Sequence, residues 1–311
     1  MSVKISIVLA AYNGEKYIYE QIESILNQTY TNFELVVIDD CSTDATVSII
    51  ESFGFDRLRL FRNSFNMGCF DSFLKAISLA SGRYVCLCDQ DDIWKVNKLE
   101  RLIDNIEDNV AIYSGNELID GFGVAIKNSK KYVNNLSSID SHCEIFSNIA
   151  IFNSFVLGCS LMFCRESFSL VPKLNVTNFN HDRWIVMTLS QIGSIKFLDE
   201  KLFKYRIHDR NHSLSPSVKN KSISYKIKML AKGKIDQPPT YDKEILEALC
   251  SQEIFANTPL SNYLQSVRKN ELVAIIKNFR FMYRRVSRLG RLRLISKYIL
   301  FKIFSRYREV N

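Results

Sequence analysis

Three carboxylates stand within four residues in Asp89-Gln90-Asp91-Asp92, directly after the apolar run RYVCLC. Carboxylates this close repel one another, so their placement costs stability unless a cation lies between them. Mg²⁺ and Mn²⁺ bind one or two protein carboxylates together with phosphate oxygens, and the ion neutralises a diphosphate as it leaves. A solvated acidic helix start would explain Asp92 but not all three carboxylates. The pattern therefore favours a site for a metal ion and a diphosphate.

A second acidic pair, Asp39 and Asp40, follows the apolar run FELVVI and precedes Ser42-Thr43-Asp44. A carboxylate at the carboxyl end of a strand can accept a hydrogen bond from a pyrimidine imide N–H or a ribose hydroxyl. The same aspartates can instead serve only to turn the chain and cap the next helix. The residues alone leave both interpretations open.

Two further candidates are Asp182, in the segment Asn180-His181-Asp182-Arg183-Trp184, and His208, at the end of Tyr205-Arg206-Ile207-His208. Asp182 opens an apolar helical pattern, where it is either an N-cap or a general base that faces a cleft. His208 ends a strand pattern, where it is either structural or a ligand of a metal or phosphate.

The first 115 residues alternate β-rich runs with helical patterns, which is typical of a doubly wound α/β sheet. The strands read KISIVLA, FELVVI, RLRLF, RYVCLC and VAIYS, and helices are expected from about Glu15, Asp44, Phe70 and Lys95. Continuous apolar strands indicate a mostly parallel sheet that is covered on both faces. Such sheets bind ligands at the carboxyl ends of their strands, which is where the acidic residues fall.

The later part of the chain is expected to extend the sheet and then to become helical. A strand SFVLGCSLMFC, a helix from near Asp182 and a strand pair, IKFLD and LFKYRIH, lie before a stretch rich in Ser, Pro and Lys, SLSPSVKNKS. That stretch places a boundary near residue 215. We therefore predict a ligand-binding domain at residues 1–215 and a helical, basic extension at residues 216–311.

The net charge of +8 is concentrated at one end of the chain. Arg268–Asn311 contains thirteen Lys and Arg against two Glu, whereas the residues before it carry a net negative charge. A basic segment rich in Leu, Ile, Phe and Tyr suits an anionic membrane surface. Nucleic acid would suit the same segment but would leave the acidic strand ends without a purpose, so we expect no nucleic-acid partner.

The location of the protein is expected to be cytoplasmic, on the inner face of a membrane. No apolar stretch reaches the roughly 18 residues that a membrane-spanning helix needs. The start MSVKISIVLAAYNG fits a first strand better than a signal peptide. The eight cysteines have no CxxC spacing, which favours reduced, buried thiols over disulfides or zinc ligands.

Several segments together resemble a known family. Ala10-Ala11-Tyr12-Asn13-Gly14, the segment from Glu20 to Tyr30 and the segment from Val37 to Asp44 resemble the start of family-two inverting glycosyltransferases of GT-A fold. Later segments resemble the rhamnosyltransferase-like subset, which makes bacterial surface polysaccharides; they are Asp89 to Trp94, Gly158-Cys159-Ser160, His181 to Trp184 and Tyr205 to His208. The resemblance covers roughly residues 3 to 212.

The resemblance implies a role for each residue of these motifs. Contacts to the nucleotide sugar would come from Ala10, Ala11, Tyr12, Asn13, Asp39, Asp40, Asp89 and Gln90, with Asp39 reading the pyrimidine and Asp89 near the ribose or the sugar. Asp91 and His208 would hold Mg²⁺ or Mn²⁺, and Asp182 would be the catalytic base. Trp184 and Arg206 would bind the acceptor or support the structure. Ala11, where Thr is common, and Arg183, where an aromatic is frequent, depart from the family pattern.

The implied activity is inverting transfer of rhamnose or another hexose from a dTDP- or UDP-linked donor. The acceptor would be a hydroxyl of a glycan or of a lipid-linked oligosaccharide, in O-antigen or capsule synthesis. A sugar nucleotidyltransferase is the alternative enzyme, although Ala10 to Gly14 does not supply its phosphate-binding loop of Gly and Lys. A non-catalytic nucleotide-sugar-binding module is the other alternative, and it would have less need for Asp182.

Overall fold

The computed structural model describes residues 2–126, 156–169 and 181–208. These residues all belong to the first of the two units into which the chain divides, Met1–Leu249. The boundary that the sequence predicts near residue 215 and the basic segment Arg268–Asn311 lie outside the described residues. None of the helices that the structure describes is long and apolar enough to cross a membrane.

In the described part of the chain, eight strands form one mixed sheet in the order β3-β2-β1-β4-β7-β6-β8-β5. The strands are β1 (Ile5–Ala11), β2 (Phe33–Asp39), β3 (Leu58–Arg62), β4 (Tyr84–Cys88), β5 (Ile93–Trp94), β6 (Ala111–Asp120), β7 (Leu161–Cys164) and β8 (Ile195–Ile207). Strands β1 to β4 are parallel, β7 runs antiparallel between β4 and β6, and β5 is antiparallel to β8. This mostly parallel sheet confirms the predicted α/β fold.

The helices cover the sheet much as the sequence pattern predicts. They are α1 (Ile18–Leu26), α2 (Thr46–Ser52), α3 (Cys69–Leu79), α4 (Lys98–Asn105), α5 (Arg165–Ser169) and α6 (His181–Ile192), with a short 3₁₀ turn at Gly158–Ser160. Ile18, Ile22 and Ile25 of α1 are fully buried against a core that includes β1 and β2. Because helices pack on both faces of these strands, their residues are apolar without alternation.

Three predicted strands differ from the structure. IKFLD and LFKYRIH form one continuous strand, β8, because its polar middle stays extended beside β6 and register shifts around Gly115 absorb the extra residues. Glu200, within that polar stretch, accepts a 3.0 Å hydrogen bond from Arg101 Nε. In the described part of the predicted strand SFVLGCSLMFC, residues 156–164, the strand is confined to β7, because Ser160 N turns back to donate to Leu157 O at 2.9 Å.

A buried carboxylate that the sequence did not single out holds the amino-terminal edge of the sheet. Glu34, at the start of β2, accepts hydrogen bonds from Ser6 Oγ at 2.6 Å, Ser81 N at 2.7 Å and Ser81 Oγ at 2.8 Å. Lys4 Nζ adds an ion pair at 3.2 Å. Burial raises the pKa of Glu34, but the hydrogen bonds together outweigh it and lower the pKa to about 2. This network joins β1, β2 and β4 at the edge opposite the acidic loops.

Candidate active site

The carboxyl ends of β1, β2 and β4 meet at one edge of the sheet. Ala11 at the end of β1 lies opposite Asp39 at the end of β2, and Leu9 lies opposite Cys88 on the other side. Ala10 is half-buried, Ala11 is buried, and the segment that begins at Asp89 leaves the sheet beside them. The structure therefore brings the first motif and both acidic motifs together, as the sequence predicts.

The loops after β1 and β2 are joined by polar side chains. Asp39 is fully buried, and its Oδ2 accepts hydrogen bonds from Ser42 N at 3.2 Å and from Arg62 Nε at 3.4 Å. Asn13 has a φ of 46°, a left-handed conformation that Asn tolerates. The backbone N–H of Asn13 donates a hydrogen bond to Ser42 Oγ at 3.0 Å, and its side-chain Oδ1 accepts one from Thr43 N at 2.9 Å. Ser42 thus links the loop that carries Asp39 to the loop that carries Asn13.

The carboxylate of Asp40 has different contacts from that of Asp39. Its carboxylate accepts hydrogen bonds from Asn63 Nδ2, Met67 N and Gly68 N, each at 2.8 Å. Gly68 has a φ of 86°, a conformation that favours glycine. Both carboxylate oxygens therefore fix the loop between β3 and α3. A contact of Asp40 with the nucleotide stays a prediction.

Gln90 connects the acidic loop to the first motif. Its Oε1 accepts from Tyr12 N at 2.9 Å, and its Nε2 donates to Tyr12 O at 3.1 Å. A Cβ at Gly14 would lie 2.3 Å from Gln90 Oε1, so a side chain at position 14 would displace the Gln90 amide. The side chain of Tyr12 remains 45% exposed and is available to a ligand. The amide of Gln90 thus sets the spacing of the two loops, while its contact with a nucleotide sugar stays a prediction.

The carboxylates of the acidic loop disfavour one another's charge. Burial, then Asp91 and then Asp182 raise the pKa of half-buried Asp89 to about 7. Asp92 is fully buried, and burial followed by the charges of Asp91 and Asp89 raises its pKa well above the usual range. Arg206 N donates to Asp92 Oδ1 at 3.0 Å, whereas Asp92 Oδ2 has no hydrogen-bond partner in the part of the chain that the structure describes. The loop therefore has a deficit of positive charge.

His208 and Asp91 meet although 117 residues separate them, with His208 Nε2 at 2.8 Å from Asp91 Oδ2. The ring of Tyr17 lies 4.8 Å from the imidazole, centroid to centroid. Arg206 is buried, donates from Nε to Asp91 O at 2.7 Å, and forms an ion pair with Glu20. Its guanidinium also lies 4.6 Å from the ring centre of Tyr17. These contacts hold Asp91 and His208 in place. They therefore favour a role for Arg206 in supporting the structure over a role in binding the acceptor.

Two sets of donor atoms can hold a divalent cation at this edge. One is the pair Asp91 and His208; the other is Asp89, Asp92 and Cys159, whose ligand atoms lie within 4.8 Å of one another. Burial keeps the Cys159 thiol protonated by raising its pKa, which leaves the carboxylates and the imidazole as the better donors for Mg²⁺ or Mn²⁺. Because the carboxylates raise one another's pKa, a cation would relieve their repulsion. The residues present therefore fit a divalent metal.

Asp182 lies in the first turn of α6, and its Oδ1 accepts a 2.6 Å hydrogen bond from Arg183 N. Its charge helps to raise the pKa of Asp89, so the two carboxylates lie in the same part of the site. Gly158 packs closely beside it, since a Cβ there would lie 3.0 Å from Asp182 Cβ. Trp184 is 1% exposed, which favours a role in supporting the structure over a role in binding the acceptor.

The sequence did not single out three neighbours of these residues, Phe73, Cys69 and Lys98. The imidazole of His181 stacks on Phe73 with ring centres 3.9 Å apart, and its Nδ1 lies 3.6 Å from Cys69 Sγ. Lys98 is buried behind the acidic loop and donates to Cys159 O. Phe73 and Cys69 belong to an ordinary helical pattern, and Lys98 stands among charged residues. Only the fold shows what each of them contacts.

Comparison with known proteins identifies the class. Residues 6–169 match the family model for Glycosyl transferase family 2. An uncharacterized glycosyltransferase of Haemophilus influenzae is 30% identical over 236 residues, which cover 72% of each chain. The chain therefore belongs to glycosyltransferase family 2, as the motifs at both acidic strand ends predict.

Other relatives differ in length from this chain. An uncharacterized glycosyltransferase of Rickettsia conorii is 32% identical over 71% of this chain, but the match spans only 37% of that protein. The UDP-Glc:alpha-D-GlcNAc-diphosphoundecaprenol beta-1,3-glucosyltransferase WfgD of Escherichia coli is 39% identical over 113 residues, 36% of this chain and 45% of that protein. The matches therefore span less than half of the length of each of these two relatives.

Solved structures show the same fold. Residues 1–349 of S. aureus TarS in complex with UDP-GlcNAc match with a TM-score of 0.55 at 19% identity, covering 90% of each chain. The mannosyltransferase PcManGT from Pyrobaculum calidifontis, in complex with GDP-Man and Mn2+, matches with a TM-score of 0.52 at 17% identity, covering 99% of this chain and 83% of that one. The described domain has the GT-A fold.

Proposed function

We propose that this glycosyltransferase is metal-dependent and inverting, and that it moves rhamnose or another hexose from a dTDP- or UDP-linked donor to a hydroxyl. The observation that carries the proposal is the meeting of Asp39, the Asp91–His208 pair and Asp182 around the carboxyl edge of one sheet. Base recognition, diphosphate binding and proton removal need three such groups, side by side. A nucleotide-binding module without activity would need only the first two.

The donor site is assigned to the loops after β1 and β2. The Asp39 carboxylate accepts a hydrogen bond from the pyrimidine imide N–H, and Arg62 and Ser42 hold that carboxylate in place. Ala10, Ala11, Tyr12 and Asn13 line the remainder of the nucleotide pocket, with Asp89 near the ribose or the sugar. Uracil and thymine present the same imide edge, so both UDP- and dTDP-sugars suit this site.

Asp91 and His208 are assigned to the metal, which, when bound, neutralises the diphosphate as it leaves. Arg206 fixes the backbone of Asp91 through its carbonyl, while Tyr17 packs against the imidazole of His208. Both ligands are therefore held in position before the donor binds, which favours catalysis because no reorganisation is needed. The Mn2+ in the PcManGT complex supports a metal in this fold.

Asp182 is assigned as the base. It removes the proton of the acceptor hydroxyl as that oxygen attacks the anomeric carbon. The new glycosidic bond forms as the bond from the anomeric carbon to the diphosphate oxygen breaks, and the electron pair of that bond leaves with the diphosphate. One displacement from the opposite face inverts the anomeric centre.

The acceptor is assigned to a glycan or lipid-linked oligosaccharide of a bacterial surface polysaccharide such as O-antigen or capsule. The name of the E. coli relative includes a diphosphoundecaprenol acceptor, which supports a lipid-linked one here. Such an acceptor lies at a membrane, so we assign the protein to the cytoplasmic face of the cell membrane, held there by residues 216–311. The basic segment Arg268–Asn311 supports this location.

A screen of nucleotide sugars tests the proposal. Purified full-length protein is mixed with UDP- and dTDP-sugars and Mn²⁺, and release of nucleoside diphosphate is followed with and without EDTA. We expect release from at least one donor, dependent on metal, and product of inverted anomeric configuration by NMR. Release of pyrophosphate from a nucleoside triphosphate and a sugar 1-phosphate would instead identify a nucleotidyltransferase, and retained configuration would contradict the single displacement.

A further inference from the structure

Lys98 is buried in an unusual position for a lysine. It is the first residue of α4 and only 1% exposed, and its Nζ donates a 2.6 Å hydrogen bond to Cys159 O. The Nζ lies 3.5 Å from the ring centre of Trp94 and 4.7 Å from that of Phe203. Burying an ammonium costs free energy, and the amino terminus of a helix disfavours a positive charge. The lysine is therefore placed here at a cost to stability, which its contacts must offset.

The contacts of Lys98 join two halves of the candidate active site. Cys159 is the middle residue of the 3₁₀ turn Gly158–Ser160, and a Cβ at Gly158 would lie 3.0 Å from Asp182 Cβ. On its other side, Lys98 stacks on Trp94, which lies two residues after Asp92 in the chain. A short path of direct contacts thus runs from the acidic loop through Lys98 and the turn to Asp182.

We propose that Lys98 is a positioning residue that sets the distance between Asp182 and the acidic loop Asp89–Asp92 by holding the turn Gly158–Ser160 in place. The inference rests on the proposed function for the roles of those carboxylates. An ammonium–carbonyl hydrogen bond between two aromatic rings is directional and shielded from water, so it fixes the turn firmly. Without the donor, Cys159 O would be buried and unsatisfied, and the turn would shift to reach water.

The first test measures the turn itself and needs no substrate. Cys159 is 1% exposed, so wild-type protein should react slowly there with iodoacetamide, followed by peptide mass spectrometry. We expect Lys98→Met to raise the rate at Cys159 at least tenfold, while Cys86 and Cys88, which are fully buried on β4, stay unreactive. Lys98→Gln keeps an N–H donor and should restore most of the protection. Lys95→Met is the matched control, because within the part of the chain that the structure describes the Lys95 ammonium forms its ion pair with half-exposed Glu117.

The second test measures the consequence for catalysis with the donor that the screen identifies. Binding of UDP with Mn²⁺ to Lys98→Met should stay within about twofold of wild type by calorimetry. Transfer should fall by a factor of about 10 to 100, since a shift of about 1 Å in a catalytic group costs that much. Loss of folded protein alone would lower binding and transfer together. A loss of transfer with binding preserved would therefore identify Lys98 as a positioning residue. Lys98→Gln should recover part of the transfer rate.

The outcomes separate the two proposals. If wild type releases no nucleoside diphosphate from any donor, the proposed function fails while the labelling result still stands. If wild type is active and Lys98→Met keeps both the protection of Cys159 and the transfer rate, the role of Lys98 is overturned. If Cys86, Cys88 and Cys159 all become reactive in Lys98→Met, the lysine supports the core as a whole, which also overturns it.

Discussion

At the residue scale, neighbouring aspartates of this chain do different work because their surroundings differ. The Asp40 carboxylate accepts three hydrogen bonds of 2.8 Å from the loop between β3 and α3. Among the residues that the structure describes, the Asp39 carboxylate accepts only longer hydrogen bonds, of 3.2 to 3.4 Å, from Ser42 and Arg62. The shorter bonds of Asp40 favour a fixed loop, whereas the longer and weaker bonds of Asp39 compete less with a hydrogen bond from a ligand. Their order in the chain does not distinguish them.

Asp182→Asn is expected to abolish transfer and to preserve donor binding, because a base acts on the acceptor. Proton transfer by a positioned side chain is worth about 10²- to 10⁴-fold, so turnover should fall by that factor. Calorimetry with UDP and Mn²⁺ should give an affinity within about twofold of wild type. Asp104→Asn, an exposed residue of α4, is the control. Loss of donor affinity together with turnover would make Asp182 a structural residue of the first turn.

Asp91→Asn is expected to lower Mn²⁺ affinity and turnover by orders of magnitude while the protein stays folded. The substitution removes a negative charge from the pair with His208, so the cation loses its carboxylate partner. Mn²⁺ binding by electron paramagnetic resonance and turnover in excess EDTA provide the measurements, with circular dichroism as the check of folding. Full activity of wild type in EDTA would contradict metal dependence.

The sequence could reveal the acidic residues but not the side chains that hold them. Asp39 and Asp91 follow apolar runs, and that position alone predicts the ligand-binding edge. Arg206 and Glu20 form their ion pair across 186 residues, and Lys98 reaches Cys159 across 61. No periodicity links positions so far apart, because their contact depends on the order of strands in the sheet.

At the scale of elements, the sequence patterns predicted whether a segment forms a strand or a helix better than they predicted where that strand or helix ends. Strands β1, β2 and β4 could be predicted because most of their residues are apolar, without alternation, and α1 because its isoleucines recur at helical spacing. The single strand β8 could not, because its polar middle has the composition of a turn. Its pairing with β6 keeps that stretch extended. A local sequence pattern does not show which strands pair with each other.

Gln90→Met is expected to weaken donor binding by loosening two loops. The side chain keeps its size but loses both hydrogen bonds to the backbone of Tyr12. Two neutral hydrogen bonds are worth about 1 kcal/mol each, so the affinity for UDP with Mn²⁺ should fall by up to about thirtyfold, measured by calorimetry. Gln90→Glu keeps the acceptor for Tyr12 N and should bind better than the Met variant once Mn²⁺ is present. Unchanged affinity in both variants would show that the loops hold their spacing without Gln90.

Glu34→Gln is expected to destabilise the sheet by about 1–3 kcal/mol at pH 7, since a buried, charge-assisted network loses its charge. The folded-state pKa of about 2 lies below the ordinary value of 4.5, so the stabilisation is present above about pH 4.5 and disappears as the pH falls towards 2. Urea unfolding of both proteins at several pH values should show the difference narrowing on acidification. Exposed Glu51→Gln is the control. A difference that is constant with pH would assign the effect to packing.

At the scale of the whole molecule, charge is divided between two regions of the sequence. The residues before Arg268 carry slightly more acidic than basic side chains, while Arg268–Asn311 carries thirteen basic residues against two acidic ones. An acidic site needs a metal to bind a diphosphate, and that need does not explain an excess of Lys and Arg in another part of the sequence. The basic segment therefore needs a separate explanation. The proposed lipid-linked acceptor provides one, because it lies at a membrane that basic residues can bind.

The basic segment is expected to bind anionic membranes. In the sequence from Val286 to Val310, apolar residues recur at helical spacing among basic ones; they are Leu292, Ile295, Ile299 and Ile303. An apolar stripe alone would favour packing on the main domain. Packing needs no excess of Lys and Arg, however, whereas each of them near an anionic leaflet contributes about 1 kcal/mol of attraction.

Sedimentation with liposomes tests this expectation. Full-length protein should pellet with vesicles that contain phosphatidylserine, less so at high salt, and not with vesicles of phosphatidylcholine alone, because salt screens the attraction. Replacing Arg288, Arg291 and Arg293 by Gln removes about 3 kcal/mol of attraction and should lower the partition coefficient by about a hundredfold. Donor binding by that variant should equal that of wild type, which shows that the main domain is intact. Equal partitioning of variant and wild type, or indifference to lipid charge, would leave packing on the main domain as the role of the segment.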